Sequence, residues 1–271
     1  MVVNLDDGFQ FLVRKASISS GVALAGYRDT YLRRRIDLRM KAVGIDNYPT
    51  YMKLLDKNPN ELTEFLNAIT VNVTEFMRDK TPFMFFRNEI LPEIMERKKK
   101  SKSNMVRFWS AACSNGEEPY SISICSKEIL PADWSISIYA TDIDEDSLSR
   151  ASKGIYSKEQ LKNLDSSIIH KYFEHSGENF KVKSIPKLSI RFMRHDLTSE
   201  PPVSKYLDVV FCRNVMIYFN DKQKVKMLND FYNSLSDDGY LIIGKSETLP
   251  EEIRDSFIPV NVRDKVFRKA L

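Results

Sequence analysis

The run Val106–Ser121, V-R-F-W-S-A-A-C-S-N-G-E-E-P-Y-S, limits what this chain can fold into more than any other stretch. Val106, Phe108 and Trp109 mark a short apolar strand. The small residues Ser110–Gly116 break it, and Pro119, which has no N–H to satisfy, suits the first turn of a helix. Helical spacing continues through Tyr120, Ile124 and Ile129. A strand, a small-residue loop and a helix opened by two carboxylates form a unit of nucleotide-type folds. Small side chains there let a ligand reach the backbone, and the N–H groups of the helix start face it. Glu117 and Glu118 repel phosphate, and neither G-x-G-x-x-G nor G-x-x-x-x-G-K-[ST] is present, so the loop suits a ligand with hydroxyls or positive charge.

From Val106 onward, strands and helices alternate, which predicts an α/β domain with a parallel sheet covered on both faces. The strands are expected at Val106–Ser110, Ser135–Ala140, Leu188–Phe192, Leu207–Cys212 and Tyr240–Ile243, with a terminal hairpin from Phe257–Val260 to Lys265–Arg268. Residues 154–187 are too many for a plain connection, usually about 2–6 residues, and predict an inserted subdomain. Residues 1–98 read as a helical domain. A helix is expected over Ala25–Val43 ending at Gly44, and shorter ones over Tyr48–Lys57 and over Glu61–Ile69 with Asn60 as cap. The basic run 99–104 is the expected linker, leaving 105–271 for the α/β domain.

Three cysteines, Cys113, Cys125 and Cys212, lack metal spacing and suit reduced thiols in a cytoplasmic protein. The start M-V-V-N-L-D-D is acidic without an apolar core, so no secretory signal is expected, and no run of about 18 apolar residues is present. The net charge of +4 is uneven: residues 11–41 hold eight basic and two acidic side chains, while the remainder is slightly acidic. Arg28, Arg35 and Arg39 share one side of the second helix, beside the apolar stripe Leu32, Ile36, Met40 and Val43. That concentration points to an acidic partner.

In an open α/β sheet, ligands bind beyond the carboxyl ends of the strands. The residues there are Ala111–Glu118, Asp142, Asp196 with Leu197, and Arg213 with Asn214. Asp142 fits ribose hydroxyls, Asp196 an adenine amino edge, and Glu118 an ammonium or other cationic centre. S-adenosylmethionine meets all three demands.

The strings V-N-V-T-E-F-M-R-D, W-S-A-A-C-S-N-G-E-E-P-Y-S, A-T-D-I-D, A-S-K-G-I-Y, F-C-R-N-V-M-I-Y-F and G-K-S-E, in this order over nearly the whole chain, resemble the chemotaxis receptor methyltransferases of the CheR family. The resemblance implies an all-α N-terminal domain before a class I S-adenosylmethionine-dependent, Rossmann-like methyltransferase domain with a small inserted subdomain. It also implies methyl transfer to glutamate carboxylates on cytoplasmic chemoreceptor helices, with S-adenosylhomocysteine as product. Carried over by position, the cofactor contacts are Asn72, Thr74, Arg78, Glu118, Asp142, Asp196, Leu197, Arg213 and Asn214. Arg78 and Tyr218 stand nearest the transferred methyl. Arg28, Arg33, Arg35 and Arg39 are the expected receptor-docking set. Met77 departs from a common phenylalanine and Asn115 from a common threonine. In some relatives the inserted subdomain grips a receptor tail peptide; the compact stretch Glu174–Ser189 predicts that this chain does not need one.

The acceptor carboxylate is already ionised near neutral pH, so no general base is expected and His195 reads as structural. A monomer without metal, nucleic acid or membrane insertion is the expectation. Two rivals are a nucleic-acid methyltransferase, which would want an Asn/Asp-Pro-Pro-aromatic loop where Arg213-Asn214-Val215-Met216 stands, and a non-catalytic adaptor, against which Arg78 and Tyr218 argue.

Overall fold

The computed structural model describes residues 5–70 and 74–271. The chain divides into two compact units: Met1–Val71 with Tyr218–Lys226, and Asn72–Ile217 with Met227–Leu271.

In the first unit, α1 (Leu5–Ser20), α2 (Asp29–Ala42), α3 (Tyr48–Lys57) and α4 (Pro59–Ile69) enclose Phe9, Leu12, Leu32, Ile36, Tyr51 and Phe65. A single 3₁₀ turn, Leu24–Gly26, precedes α2, so the helix expected from Ala25 begins later. Leu32, Ile36 and Met40 of its apolar stripe are buried as the spacing predicts, whereas Val43 caps the helix end half-buried, and Gly44 follows with a left-handed φ of 71°. The cap of α4 is Asn58 rather than Asn60: its Oδ1 accepts from the N–H groups of Asn60 and Glu61 at 3.1 and 3.2 Å. Pro59 then fills the first helical position, where a missing N–H costs nothing. The return segment closes on this unit through a bridge between Tyr27 and Phe219, and the Arg28 N–H donates to Tyr218 O at 2.9 Å.

The basic side of α2 is largely tied down within the unit. Arg39 donates twice to Glu61, at 2.9 and 2.6 Å, and Tyr51 Oη donates to the same carboxylate at 2.7 Å. Burial works against ionised Glu61, but Arg39 and Tyr51 outweigh it and hold its pKa below the usual value. Arg35 donates to Ala68 O, Arg28 Nε donates to Phe219 O at 3.0 Å, and Arg33 lies 3.9 Å over the Phe9 ring. Arg39→Ala strands a buried carboxylate and is expected to destabilise the protein by roughly 3–5 kcal/mol in a urea unfolding series. A change under 1 kcal/mol would show that the pair is not structural.

The second unit opens with α5 (Thr81–Phe85), a π-helical turn (Phe86–Ile90) and α6 (Leu91–Lys100). There follow β1 (Met105–Ala111), α7 (Glu117–Ile129), β2 (Ser135–Asp142) and α8 (Glu145–Lys153). Next come β3 (Ile155–Tyr156), α9 (Ser166–Tyr172), β4 (Phe173–Ser176), β5 (Asn179–Val182) and α10 (Ser184–Lys187). The chain continues through β6 (Ile190–Arg194), β7 (Leu207–Cys212), α11 (Asp221–Ser234), β8 (Leu235–Ile243), α12 (Glu251–Arg254), β9 (Phe257–Asn261) and β10 (Val266–Lys269).

The main sheet has the order β6-β2-β1-β7-β8-β10-β9. Its first five strands are parallel, and β10 pairs antiparallel with both β8 and β9, as the expected terminal hairpin requires. β3, β5 and β4 form a separate small sheet, which is the predicted insertion.

The division between the units precedes α5, whereas the sequence pattern suggested the basic run 99–104. The reason is packing. Phe83, Phe86, Ile90, Leu91 and Ile94 are buried in one cluster with Phe108, Ile122, Val209 and Phe211, so α5 and α6 cover the sheet. Phe86 meets Phe108 and Phe211 edge-on, at 5.5 and 5.1 Å.

Candidate active site

The strand order reverses between β1 and β7: from β1 the chain order runs outward through β2 to β6 on one side, and β7 leads to β8 on the other. Such a reversal leaves a crevice at the carboxyl ends of the two central strands. The loop after β1 enters it with Ala112, Ser114 and Gly116 all left-handed, at φ 61°, 50° and 94°. Gly116 is required there: a Cβ would meet Ala151 Cβ at 2.8 Å and Tyr156 Oη at 3.0 Å. The winding points Ser114 N–H at Asp142 Oδ2, 2.7 Å away, while Asp144 N–H donates to Asp142 Oδ1 at 3.0 Å. Burial pushes the Asp142 carboxyl up to about 6, and these two N–H groups limit the rise.

Glu118, in the first turn of α7, is buried. Ser110 Oγ donates to its Oε1 at 2.8 Å and Arg213 Nη1 approaches its Oε2 at 3.4 Å. Burial raises its pKa, and Arg213 opposes the rise. Arg213 itself was expected to touch a cofactor. Its side chain is 2% exposed, and Nη2 donates to Asp79 Oδ2 and to Arg78 O, both at 2.8 Å. It is an internal strut between Glu118 and the segment that carries Arg78. Asn214 follows with φ 62°, its N–H on Glu247 Oε2 at 3.0 Å, and its Oδ1 is buried without a partner. Gly244 N–H donates to the same Glu247 oxygen at 2.6 Å. No role for Glu247 follows from the sequence; its only signal is the final residue of G-K-S-E.

Glu117 is wholly buried beside this loop, and burial pushes it up to about 7, with Gln160 Nε2 donating to its Oε1 at 2.6 Å. Asp196 is buried; its Oδ1 accepts from Thr198 N–H at 2.8 Å and Thr198 Oγ1 at 2.6 Å, with Leu197 half-buried between them. Thr74 and Arg78 are half-buried, and Asn72 lies outside the described residues. His195 Nε2 lies 2.9 Å from Pro201 O, and its ring stands edge-on to Trp109. Tyr218 belongs to the first unit, where its ring lies 4.8 Å from that of Tyr31. The two departures are accommodated: Cys125 Sγ lies 3.9 Å from Met77 Sδ, and Asn115 Oδ1 accepts from Arg150 Nε at 2.8 Å.

Two family descriptions match in tandem: "CheR methyltransferase, all-alpha domain" over residues 7–70 and "CheR methyltransferase, SAM binding domain" over residues 72–266. The chain belongs to the CheR methyltransferase family. Among the relatives of this CheR methyltransferase is the chemotaxis protein methyltransferase of Borreliella burgdorferi, 35% identical over 90% of this chain and 88% of that one. Those of Listeria monocytogenes (32%; 92% and 93%) and Salmonella typhimurium (34%; 87% and 82%) are similar over comparable lengths. The enzyme is an S-adenosylmethionine-dependent methyltransferase of chemotaxis.

The donor set fits that cofactor. Buried carboxylates stand beyond two adjacent strands, Asp142 as the last residue of β2 and Glu118 in the first turn of α7 after β1. Asn214 contributes an orphaned amide oxygen, and the left-handed loop is too tight for a Cβ at Gly116. No cluster of three potential metal ligands occurs among the described residues, and no helix there is long and apolar enough to cross a membrane.

Proposed function

We propose that this CheR methyltransferase esterifies glutamate side chains on the cytoplasmic helices of chemoreceptors, acting in the cytoplasm as a monomer. The observation that carries this reading is the switch-point crevice, where buried Asp142 and Glu118 flank a phosphate-averse loop in a chain related throughout to chemotaxis methyltransferases. In it Asp142 accepts from ribose hydroxyls, Asp196 and Leu197 border the adenine, and Glu118 and Asn214 face the amino-acid end. Asn72, Thr74 and Arg78 complete the contacts, while Arg213 acts at one remove by fixing Glu118.

Bound S-adenosylmethionine supplies an electrophilic methyl group on a positively charged sulfur. The chain's own task is chiefly alignment. A glutamate acceptor, with a reference pKa near 4.3, arrives ionised, so no residue need remove a proton. Arg78 and Tyr218 orient the acceptor oxygen without gripping it so firmly that its lone pair is withdrawn. Incubation with tritiated S-adenosylmethionine and receptor membranes, followed by alkali, tests the chemistry. Volatile methanol is expected from carboxyl esters, and alkali-stable label would refute the assignment.

Cofactor binding should follow the charge on Asp142. Burial keeps a proton on this carboxyl up to about pH 6, so the form that accepts from two hydroxyls is lost as pH falls through that value. Calorimetric affinity is expected to weaken toward about tenfold per pH unit below it, and Asp142→Asn to remove the step. An unchanged profile in Asp142→Asn would count against this role.

The acidic methylation helices of receptors suit the basic side of α2. Glu61 neutralises Arg39, whereas Arg28 and Arg35 donate to carbonyl oxygens and Arg33 lies over the Phe9 ring. Long-range attraction from these three should make receptor methylation fall more steeply with salt than cofactor affinity does. Equal salt slopes would exclude docking by this helix.

A further inference from the structure

The inserted subdomain borders the segment that leads to Arg78. We infer that Gln160 and Asn163, which it contributes, are positioning residues for methyl transfer: they fix the backbone of residues 75–77 and so the direction in which Arg78 projects. The inference rests on the reading of Arg78 given above.

The segment leading to Arg78 is gripped on successive residues. Glu75 pairs with Lys162 at 2.9 Å. Phe76 N–H donates to Gln160 O at 3.1 Å, and Phe76 O accepts from Asn163 Nδ2 at 3.2 Å, so both backbone groups of Phe76 are satisfied by the insertion. The Phe76 ring is fully buried and meets Tyr156 and Phe173, also of the insertion, edge-on at 4.8 and 5.3 Å. Met77 N–H donates to Ser121 Oγ at 3.0 Å, which in turn donates to Glu117 O at 2.7 Å.

Gln160 is locked in its own place. Its Oε1 accepts from Ser157 N–H at 2.9 Å, and its Nε2 reaches Glu117, one residue before the cofactor-side Glu118. The held segment needs holding: Met77, Asp79 and Lys80 are left-handed non-glycine residues, at φ 50°, 64° and 37°. Such conformations persist only where surrounding contacts over-determine them. On the far side, Arg213 takes Arg78 O. Arg78 is thus set between a strut from the sheet and a clamp from the insertion. Removing the clamp releases the segment toward ordinary backbone angles while leaving the carboxylates Glu118, Asp142 and Asp196 in place.

The experiment measures receptor methylation and cofactor affinity for Asn163→Ala, the isosteric Asn163→Asp and Gln160→Ala, and repeats Asn163→Ala in an Arg78→Ala background. The expected result is a fall in kcat of roughly tenfold or more from misalignment. Calorimetric cofactor Kd should change far less than kcat, because Glu118, Asp142 and Asp196 keep their places. Asn163→Asp, which turns a donor into an acceptor opposite Phe76 O, should be as slow as Asn163→Ala. In the Arg78→Ala background Asn163→Ala should have little further effect, because the two act as one unit. Wild-type kcat in Asn163→Asp, a parallel loss of cofactor affinity, or an equal loss in both backgrounds would overturn the inference while leaving Arg78 in its role. Wild-type turnover in Arg78→Ala would overturn both.

Discussion

Arg78→Ala is expected to lower kcat for receptor methylation by about 10²-fold or more, with a much smaller change in cofactor affinity. Methyl transfer to a pre-ionised carboxylate leaves the enzyme little to do but align two groups, and a misplacement of about 1 Å costs on the order of 10²-fold. The backbone around Arg78 is wound through left-handed Met77 and Asp79, and its carbonyl is tied to Arg213, so the side chain starts from a fixed origin. Arg78→Lys retains the charge without the planar fork and should recover only part of the rate. Initial rates at saturating cofactor, with cofactor Kd measured separately, decide the matter. Turnover in the alanine variant within twofold of wild type would remove Arg78 from the mechanism.

Arg213→Ala should have the largest effect on stability. Its guanidinium is the cationic partner of buried Glu118, also holds Asp79 and Arg78 O, and lies 5.1 Å over the Phe83 ring. Taking away one member of a buried pair leaves the other charge uncompensated, a loss of roughly 3–5 kcal/mol. Burial already raises the pKa of Glu118, and without Arg213 that carboxyl would hold its proton to still higher pH. The double variant Arg213→Ala/Glu118→Gln, with no charge left to strand, should recover much of the loss in chemical denaturation. If the double variant is as unstable as the sum of the singles, the two side chains do not form a working pair.

The strands were the most legible part of the fold. Leu207–Cys212 reads as an unbroken apolar run because a central parallel strand is buried on both faces, and all six residues are buried. The strand expected at Leu188–Phe192 instead spans Ile190–Arg194. On this edge strand exposed and half-buried residues alternate, so the apolar signal fades at its ends. The unit boundary was illegible because Phe83, Phe86 and Ile90 carry the same spacing whether a helix packs on other helices or on a sheet. The buried carboxylates Asp142 and Asp196 could be found from their places at strand ends. The division of labour among them could not: a lone Arg213 in sequence does not say whether it meets a ligand or another residue 95 positions away. The arginines of α2 present the same difficulty, since the Glu61 that neutralises Arg39 lies across a helix pair.

The excursion Tyr218–Lys226 also bears on how such an enzyme can be inherited. Buried Phe219 bridges to Tyr27, Asn220 N–H donates to Gly26 O at 3.0 Å, and a Cβ on Gly26 would press on Gln223 at 3.1 Å. A gene fragment ending at codon 71 therefore encodes the helical unit without one of its own walls. Recombination that moved this fragment to another methyltransferase would have to bring a matching loop from within the recipient's α/β coding region. The two halves of the gene are expected to have exchanged rarely and to have drifted together, with residues 24–27 and 218–223 changing in concert.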